Sequence, residues 1–433
     1  MAGVNGECRK LPCWFESRVA IISTGKRRVA VGAGEIVEFR PRFPAKSMFF
    51  VMALLIGGSA YGWVGWRLLR RLEKGSRWRW VIAGALGLQF VSVFASFALL
   101  RTVGPGGWAA PIYWMGYGGL GLFSLLFTGL VAVELGWLGA RGVDAVCGTK
   151  ALPADEGRRR ALLGAWYAGV AGVTVLGGVH GFRQARRRPT VVKVEVPIVN
   201  LPKELAGYRI AQISDVHLGP TISGSFLRTV VGMVNELGTD MVAVTGDLVD
   251  GSTRHIRGQV AALADVQSRD GTFFVTGNHE YYSGAEAWCD TLTELGLKVL
   301  KNNHAMVARG KAQLLVAGVT DYRAHRILPT HRSSPTAALA GAPRCDVKIL
   351  LAHQPKSCLA AQRHGFDLQL SGHTHGGQMF PWNFVVGRFH PFVRGLNRFG
   401  RGWVYVNQGT GYWGPPMRIG APAEITLLTL KRG

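Results

Sequence analysis

Four stretches of the chain, residues 47–66, 81–100, 102–133 and 161–182, carry no Asp, Glu, Lys or Arg for 20 residues or more. Crossing the hydrocarbon core of a bilayer takes a helix of about 20 predominantly apolar residues. Each stretch qualifies and is rich in Gly, Ala, Leu, Val and Phe. The third contains Gly104-Pro105-Gly106-Gly107, a turn sequence, so its span is expected over 112–135. Trp63, Trp66, Trp78, Trp80, Trp114, Trp137, Trp166 and Tyr167 flank the runs, as interfacial aromatics do. The pattern predicts four transmembrane helices, in preference to a buried bundle in a soluble protein. Glu134 and His180 are expected near span ends, which leaves the span centres without ionisable groups and reads as an anchor, not a conduit.

After residue 189 the period changes. Val192, Val194, Val196 and Ile198 alternate with Lys193, Glu195 and Pro197, the pattern of a half-buried strand, and the proline places it at a sheet edge. One grammar then recurs: a short apolar run ends in polar residues able to hold a metal. Run 209–214 precedes Asp215-Val216-His217, and 240–245 precedes Gly246-Asp247-Leu248-Val249-Asp250. Run 272–276 precedes Gly277-Asn278-His279-Glu280, 347–351 precedes His353, and 367–370 precedes Gly372-His373-Thr374-His375. Strands are also expected at 402–406 and 423–430, and helices at 223–237 and 255–268. Strands alternating with helices predict an α/β fold, in which ligands gather outside the carboxyl ends of the strands.

Charge refines the picture. The chain has 433 residues and a formal net charge of +24. Residues 1–188 hold 25 basic against 9 acidic residues, while the remainder holds 25 against 17. The surplus therefore belongs mainly to the membrane part, and it weakens a nucleic-acid reading. Loops 67–79 and 141–160 carry six and five Lys/Arg, against one in 101–111, which favours a cytoplasmic position for the first and third loops. Counting residues 1–46 and 183–188 as well reduces that bias to a slight lean toward an extracytoplasmic C-terminal part. Residues 1–46 are basic and lack a signal-peptide pattern; Met48 opens the first apolar run, and 1–46 reads as a possible extension of the gene model. Six cysteines without a CxxC exclude a disulfide scaffold.

Asp215, His217, Asp247, Asn278, His353, His373 and His375 together offer imidazole, carboxylate and amide ligands without a thiolate. Such a set suits Mn, Fe, Zn, Co or Ni and argues against Ca. Residues two apart on an extended segment face one side, so Asp215 with His217, and His373 with His375, can each present a pair. Seven ligands exceed the need of one ion and would serve two that share a carboxylate. Two ions about 3.5–4 Å apart clamp the attacking and leaving oxygens of a phosphoryl displacement and make hydroxide available near neutral pH. Each block alone is weak evidence, since Gly-Asp is commonly a turn; five in order at strand ends carry the reading.

These blocks resemble the ordered motifs of the calcineurin-like metallophosphoesterase superfamily over about residues 192–430. Leu201, Pro202, Leu205, Gly207, Arg209 and Ile210, with 372–378 and 405–411, are similar to its membrane-associated bacterial group, whose relatives include lipid-A pathway hydrolases acting on UDP-diacylglucosamine. The resemblance implies a four-layer α/β/β/α sandwich and two divalent ions, Mn, Fe or Zn. It implies Asp215, His217, Asp247 and His375 on one ion, and Asp247, Asn278, His353 and His373 on the other. His279 would act on the leaving oxygen, and Asp250 and Glu280 would orient ligands. The expected organisation is a basic segment 1–46, a four-helix membrane region 47–182, a linker and edge strand 183–208, and the phosphoesterase domain 209–433.

The function expected is metal-dependent hydrolysis of a phosphoester or pyrophosphate bond at the cell membrane, with lipid-linked or nucleotide-lipid substrates as candidates. Trp382, Phe384 and Arg388, in an aromatic and basic segment 379–399, are candidate substrate contacts; a loop packing its rings over the sheet is the alternative. Arg323, Arg326, Arg332 and Arg344 are spare cations that face either substrate or solvent. The competing classes are a catalytically silent membrane sensor, disfavoured by the complete ligand set, and a nuclease. Oligomeric state is not legible.

Overall fold

The computed structural model describes residues 27–31, 35–39, 45–149, 152–153 and 155–433, with side chains from Phe50 onward. Most of the expected basic segment 1–46 lies outside those residues. The chain divides into two units, Met1–Trp63 and Val64–Gly433. In the first, strands β1 (Arg27–Val31) and β2 (Glu35–Phe39) pair antiparallel, and helix α1 (Ala45–Leu69) begins.

In the second unit, three helices among the described residues are long and apolar enough to cross a membrane: α2 (Arg77–Thr102), α3 (Gly107–Cys147) and α4 (Glu156–Arg186). The first expected span, 47–66, is helical within α1 but is not one of these three. The break at Gly104–Gly107 is present, with positive φ at Gly104, Gly106 and Gly107. Helix α3 then starts directly at Gly107, instead of 112, and runs on to Cys147 through a wider π turn at Trp114–Gly118. It ends on Gly148 in the left-handed conformation, whose N–H bonds to the Asp144 carbonyl at 3.1 Å. Glu134 therefore sits inside a helix and not at its end, paired with Arg67; the Tyr167 hydroxyl accepts from Arg67 Nε and donates to Glu134, each at 3.1 Å. Pairing of this kind is what lets charge persist in an apolar bundle.

The C-terminal part holds two six-stranded mixed sheets. One runs in the order β3 (Thr190–Ile198), β14 (Glu424–Arg432), β4 (Arg209–Ile213), β5 (Met241–Val244), β6 (Thr272–Phe274), β7 (Lys298–Val299). The other runs β12 (Gly395–Phe399), β13 (Gly402–Val406), β11 (Leu368–Ser371), β10 (Val347–Leu351), β9 (Ala312–Gly318), β8 (Asn303–Arg309). Strand β3 is the edge that Pro197 implied. Strands β4, β5 and β6 pair in parallel and are buried on both faces, hence their continuous apolar runs.

One core cluster joins Val196, Ile210, Ala243 and Phe273 of the first sheet to Leu314, Ile349, Leu370 and Tyr405 of the second. Another joins the first sheet to helix α5 (Gly224–Glu236), whose Leu227, Val230, Val231 and Val234 fall on one face, and to Trp288 and Leu292 of α7 (Ala285–Glu294), which follows the short α6 (Asn278–Ser283). The expected helix at 255–268 is instead a turn of α-helix, Thr253–Ile256, followed by 3-10 helix at Arg257–Asp265. Gly258 and Asp265 are poor helix formers, and only Val260, Ala262 and Leu263 of the 3-10 stretch reach the core.

The membrane helices and the catalytic part touch directly. Met417 packs on Gly121 and Gly178, and Ile419 on Gly181. The Arg418 N–H donates to the Gly181 carbonyl at 3.0 Å.

Candidate metal centre

Five loops leave the carboxyl ends of β4, β5, β6, β10 and β11 and converge. Eight non-glycine residues among those described have positive φ, and five of them are Asp215, His217, Asp247, His373 and His375, at 50° to 72°. Such backbone costs about 1–3 kcal/mol each and persists where the surroundings dictate it. The turn reverses each strand sharply, so its first polar side chain projects back into the cleft. Neighbouring glycines make room: a Cβ on Gly277 would collide with the Asp247 carboxylate, and one on Gly372 with Asp215.

Three groups of ligand atoms lie within 4.8 Å of one another: Asp215, His217 and His375; His217, Asp247 and His279; Asp247, His353 and His373. Asp247 stands between the flanks, its Oδ2 3.8 Å from His217 Nε2 and 3.1 Å from His353 Nε2. His217 Nε2 faces His375 Nε2 at 3.1 Å, and His353 Nε2 faces His373 Nδ1 at 3.1 Å. The Thr245 carbonyl can only accept, so His353 Nδ1, 2.8 Å away, carries a proton and Nε2 is left for the cleft. Asn278 comes to the same place, and its Oδ1 is buried with no hydrogen-bond partner among the described residues. Facing lone-pair nitrogens, buried carboxylates and an orphaned amide oxygen fit a divalent cation, which would give each of them a partner.

His279 is positioned differently. Its Nδ1 makes a short contact with Asp250 Oδ1, while Nε2 is 3.9 Å from Asp247 Oδ2. Asp250 also meets His217 Nδ1 at 3.2 Å, so one carboxylate orients both rings. Burial opposes protonation of His279, but the charges of Asp250 and Asp247 outweigh it and hold the pKa up to about 9. Burial likewise opposes ionisation of Asp250, and the facing imidazoles bring it well below the usual carboxylate range. The rings of Tyr282 and Trp413 stand 5.2 Å and 5.6 Å from that of His279.

Glu280 does not reach the imidazoles. Its carboxylate accepts the N–H groups of Gly277, Asp247 and Leu248 at 2.6, 3.0 and 2.8 Å and so fixes the Asp247 loop. Burial and the Asp247 charge push its pKa to about 7.

The segment after the last ligands divides. Phe392 and Phe399 pack on Cys358, Val404 and Val406. Trp382, Phe384 and Phe389 are exposed, at 55%, 75% and 63%, so the tip of the segment does not pack on the sheet. Arg388 is exposed beside them.

Sequence reasoning missed four neighbours of the centre. Arg418 is buried without a carboxylate partner among the described residues; its guanidinium donates to the carbonyls of Gln408, Gly409, Gly411 and Ala421, and Nη2 lies 3.4 Å from His375 Nδ1. Trp413 and Tyr282 flank His279, and the His390 ring lies 5.0 Å from that of His373. Arg418, Trp413 and His390 reach the cleft only through the fold. Tyr282 alone had a local signal, two residues after Glu280.

The calcineurin-like phosphoesterase family matches residues 208–377. "Transmembrane protein with metallophosphoesterase domain" of Danio rerio is 34% identical over 409 residues, covering 90% of this chain and 90% of that protein. Its Bos taurus counterpart is 34% identical over 427 residues, 92% of each. An uncharacterized metallophosphoesterase of Campylobacter jejuni is 38% identical over 251 residues, 57% of this chain and 64% of its own. The similarity is therefore to vertebrate proteins as well as bacterial ones, and in the vertebrate proteins it extends through the membrane helices. With the motif order, the converging strand ends and full-length similarity in agreement, the chain belongs to the calcineurin-like metallophosphoesterases.

Proposed function

We propose that the protein is a multi-pass membrane enzyme that hydrolyses a phosphoester or pyrophosphate bond with two divalent cations, Mn, Fe or Zn, and acts on a lipid-linked or nucleotide-lipid substrate. In this reading the two sheets and their helices form the four-layer α/β/β/α sandwich of the family, α1 supplies the fourth span, and the catalytic part lies outside the cytoplasm. Asp215, His217, Asp247 and His375 hold one cation; Asp247, Asn278, His353 and His373 hold the other. Bound there, the cations would neutralise phosphoryl charge and supply a nucleophile near neutral pH.

The remaining steps belong to the chain. Asp250 holds Nδ1 of His279 and leaves Nε2 to give its proton to the leaving oxygen. Tyr282 and Trp413 shield that ring from water. Glu280 and the strained turns keep the carboxylates preorganised, so little reorganisation is needed when charge develops. Trp382 and Phe384, with Arg388, offer rings to acyl chains and a guanidinium to a headgroup.

The observation that carries this reading is the convergence of seven ligand-type side chains from five strand ends, with the orphaned Asn278 Oδ1 among them. The test is turnover by the full-length, metal-loaded protein of bis-p-nitrophenyl phosphate, p-nitrophenyl phosphate and UDP-diacylglucosamine. At least one is hydrolysed in this reading, and the rate collapses in His279→Ala; full activity in that variant removes the role given to His279.

A further inference from the structure

The His353/His373 flank of the cleft continues into positive groups. His390 stacks edge-on against His373, with ring centroids 5.0 Å apart, and its Nδ1 is buried without a partner among the described residues. Lys356 is half-buried three residues after His353, on the same loop. Arg323 lies on the neighbouring loop, after β9. Asp321 ties the two loops together: its carboxylate accepts the Arg323 N–H at 2.7 Å and the Gln354 amide at 2.8 Å. Arg323 and Lys356 have no ion-pair partner among the described residues, whereas Arg309 is held by Asp240 and Asp270, and Arg257 by Glu294. Burial, then the charges of Lys356 and Arg323, depress His390 to about 4, so the three groups crowd one another.

Cations gathered at a desolvated rim with no counter-charge repel each other and gain most from an anion placed among them. A phosphoryl group held by cations in the cleft cannot also occupy this rim, but the next phosphoryl in a chain can. We propose that Lys356, Arg323 and His390 form an anion subsite beside His373 that takes a second phosphoryl group, which makes the substrate a diphosphate and not an isolated phosphomonoester. The assignment rests on the hydrolase reading for the position of the first phosphoryl.

The test is calorimetric titration of the full-length, metal-loaded protein in nanodiscs with methylphosphonate and methylenediphosphonate, with metal content checked after each titration. The parent binds the diphosphonate tighter, and Lys356→Ala with Arg323→Ala cuts that preference by about ten-fold. Arg344→Ala, at the opposite end of β10, keeps it. A second arm presents the diphosphate as CDP-diacylglycerol: a preference appearing only there assigns the second phosphoryl to a lipid headgroup, and a preference in both arms assigns it to diphosphates in general. No preference in the parent in either arm, or an undiminished one in the double variant, overturns the subsite. An intact preference without turnover of bis-p-nitrophenyl phosphate counts against the hydrolase reading and leaves the subsite standing.

Discussion

The two flanks of the cleft use the same residue types and are completed in opposite ways. On the His217 side, Asp250 takes Nδ1 of both His217 and His279, and the rings are fixed by the chain's own carboxylate. On the His373 side no carboxylate plays that part: Asn278 Oδ1 and His390 Nδ1 are buried and unpaired, and Lys356 and Arg323 stand unneutralised among the described residues. Buried polar groups in folded proteins are paired almost without exception. The difference teaches which partners the chain supplies and which arrive from outside. The first flank is machinery for moving a proton, and the second is a receptor for charge.

Substitutions can break or sharpen that contrast. The largest effect is expected from Asp247→Ala, which removes the side chain common to both flanks: activity and bound metal fall together, as activity assays and elemental analysis will record. Next comes His279→Ala, which should lower kcat by about 10²–10⁴-fold while metal content holds, because the ring gives a proton and does not grip a cation. Asp250→Asn removes the orienting carboxylate of the first flank, and a loss of about 10–100-fold, mainly in kcat, is expected. A loss confined to KM would show instead that Asp250 serves binding, and the contrast between the flanks would fail. The smallest effect belongs to the rim: Trp382→Ser with Phe384→Ser lowers turnover of a lipid substrate a few-fold and spares a small chromogenic diester. Equal loss on both substrates would make the segment structural.

How far the sequence could be read depended on the range of the interactions involved. Asp215, Asp247, Asn278 and His373 were legible because each follows its strand at once and its glycine neighbour marks a close approach. The strand ends themselves were legible because parallel strands buried on both faces leave unbroken apolar runs. Residues 255–268 were read as one helix because their apolar positions suit one, but backbone choice there follows packing on α5 more than periodicity. The extent of α3 was missed for a related reason: hydropathy marks the apolar part of a helix, and the polar turns past residue 135 remain helical without it. Glu134 looked like a terminal charge for the same reason, until its partners Arg67 and Tyr167 were placed by other helices. Arg418, Trp413 and His390 left no local trace, since their only connection to the ligands is through folds of 38, 134 and 17 residues counted to His375, His279 and His373 respectively along the chain or across sheets.

The central claim is that one shared carboxylate joins two cation sites. Elemental analysis of the purified full-length protein, dialysed after metal loading, tests it most directly beside Asp247→Ala and Asn278→Ala. The account predicts two divalent ions per chain in the parent, about one in Asn278→Ala, and loss of both in Asp247→Ala. A parent without stoichiometric metal, or an Asp247→Ala protein that keeps its full complement, would contradict it.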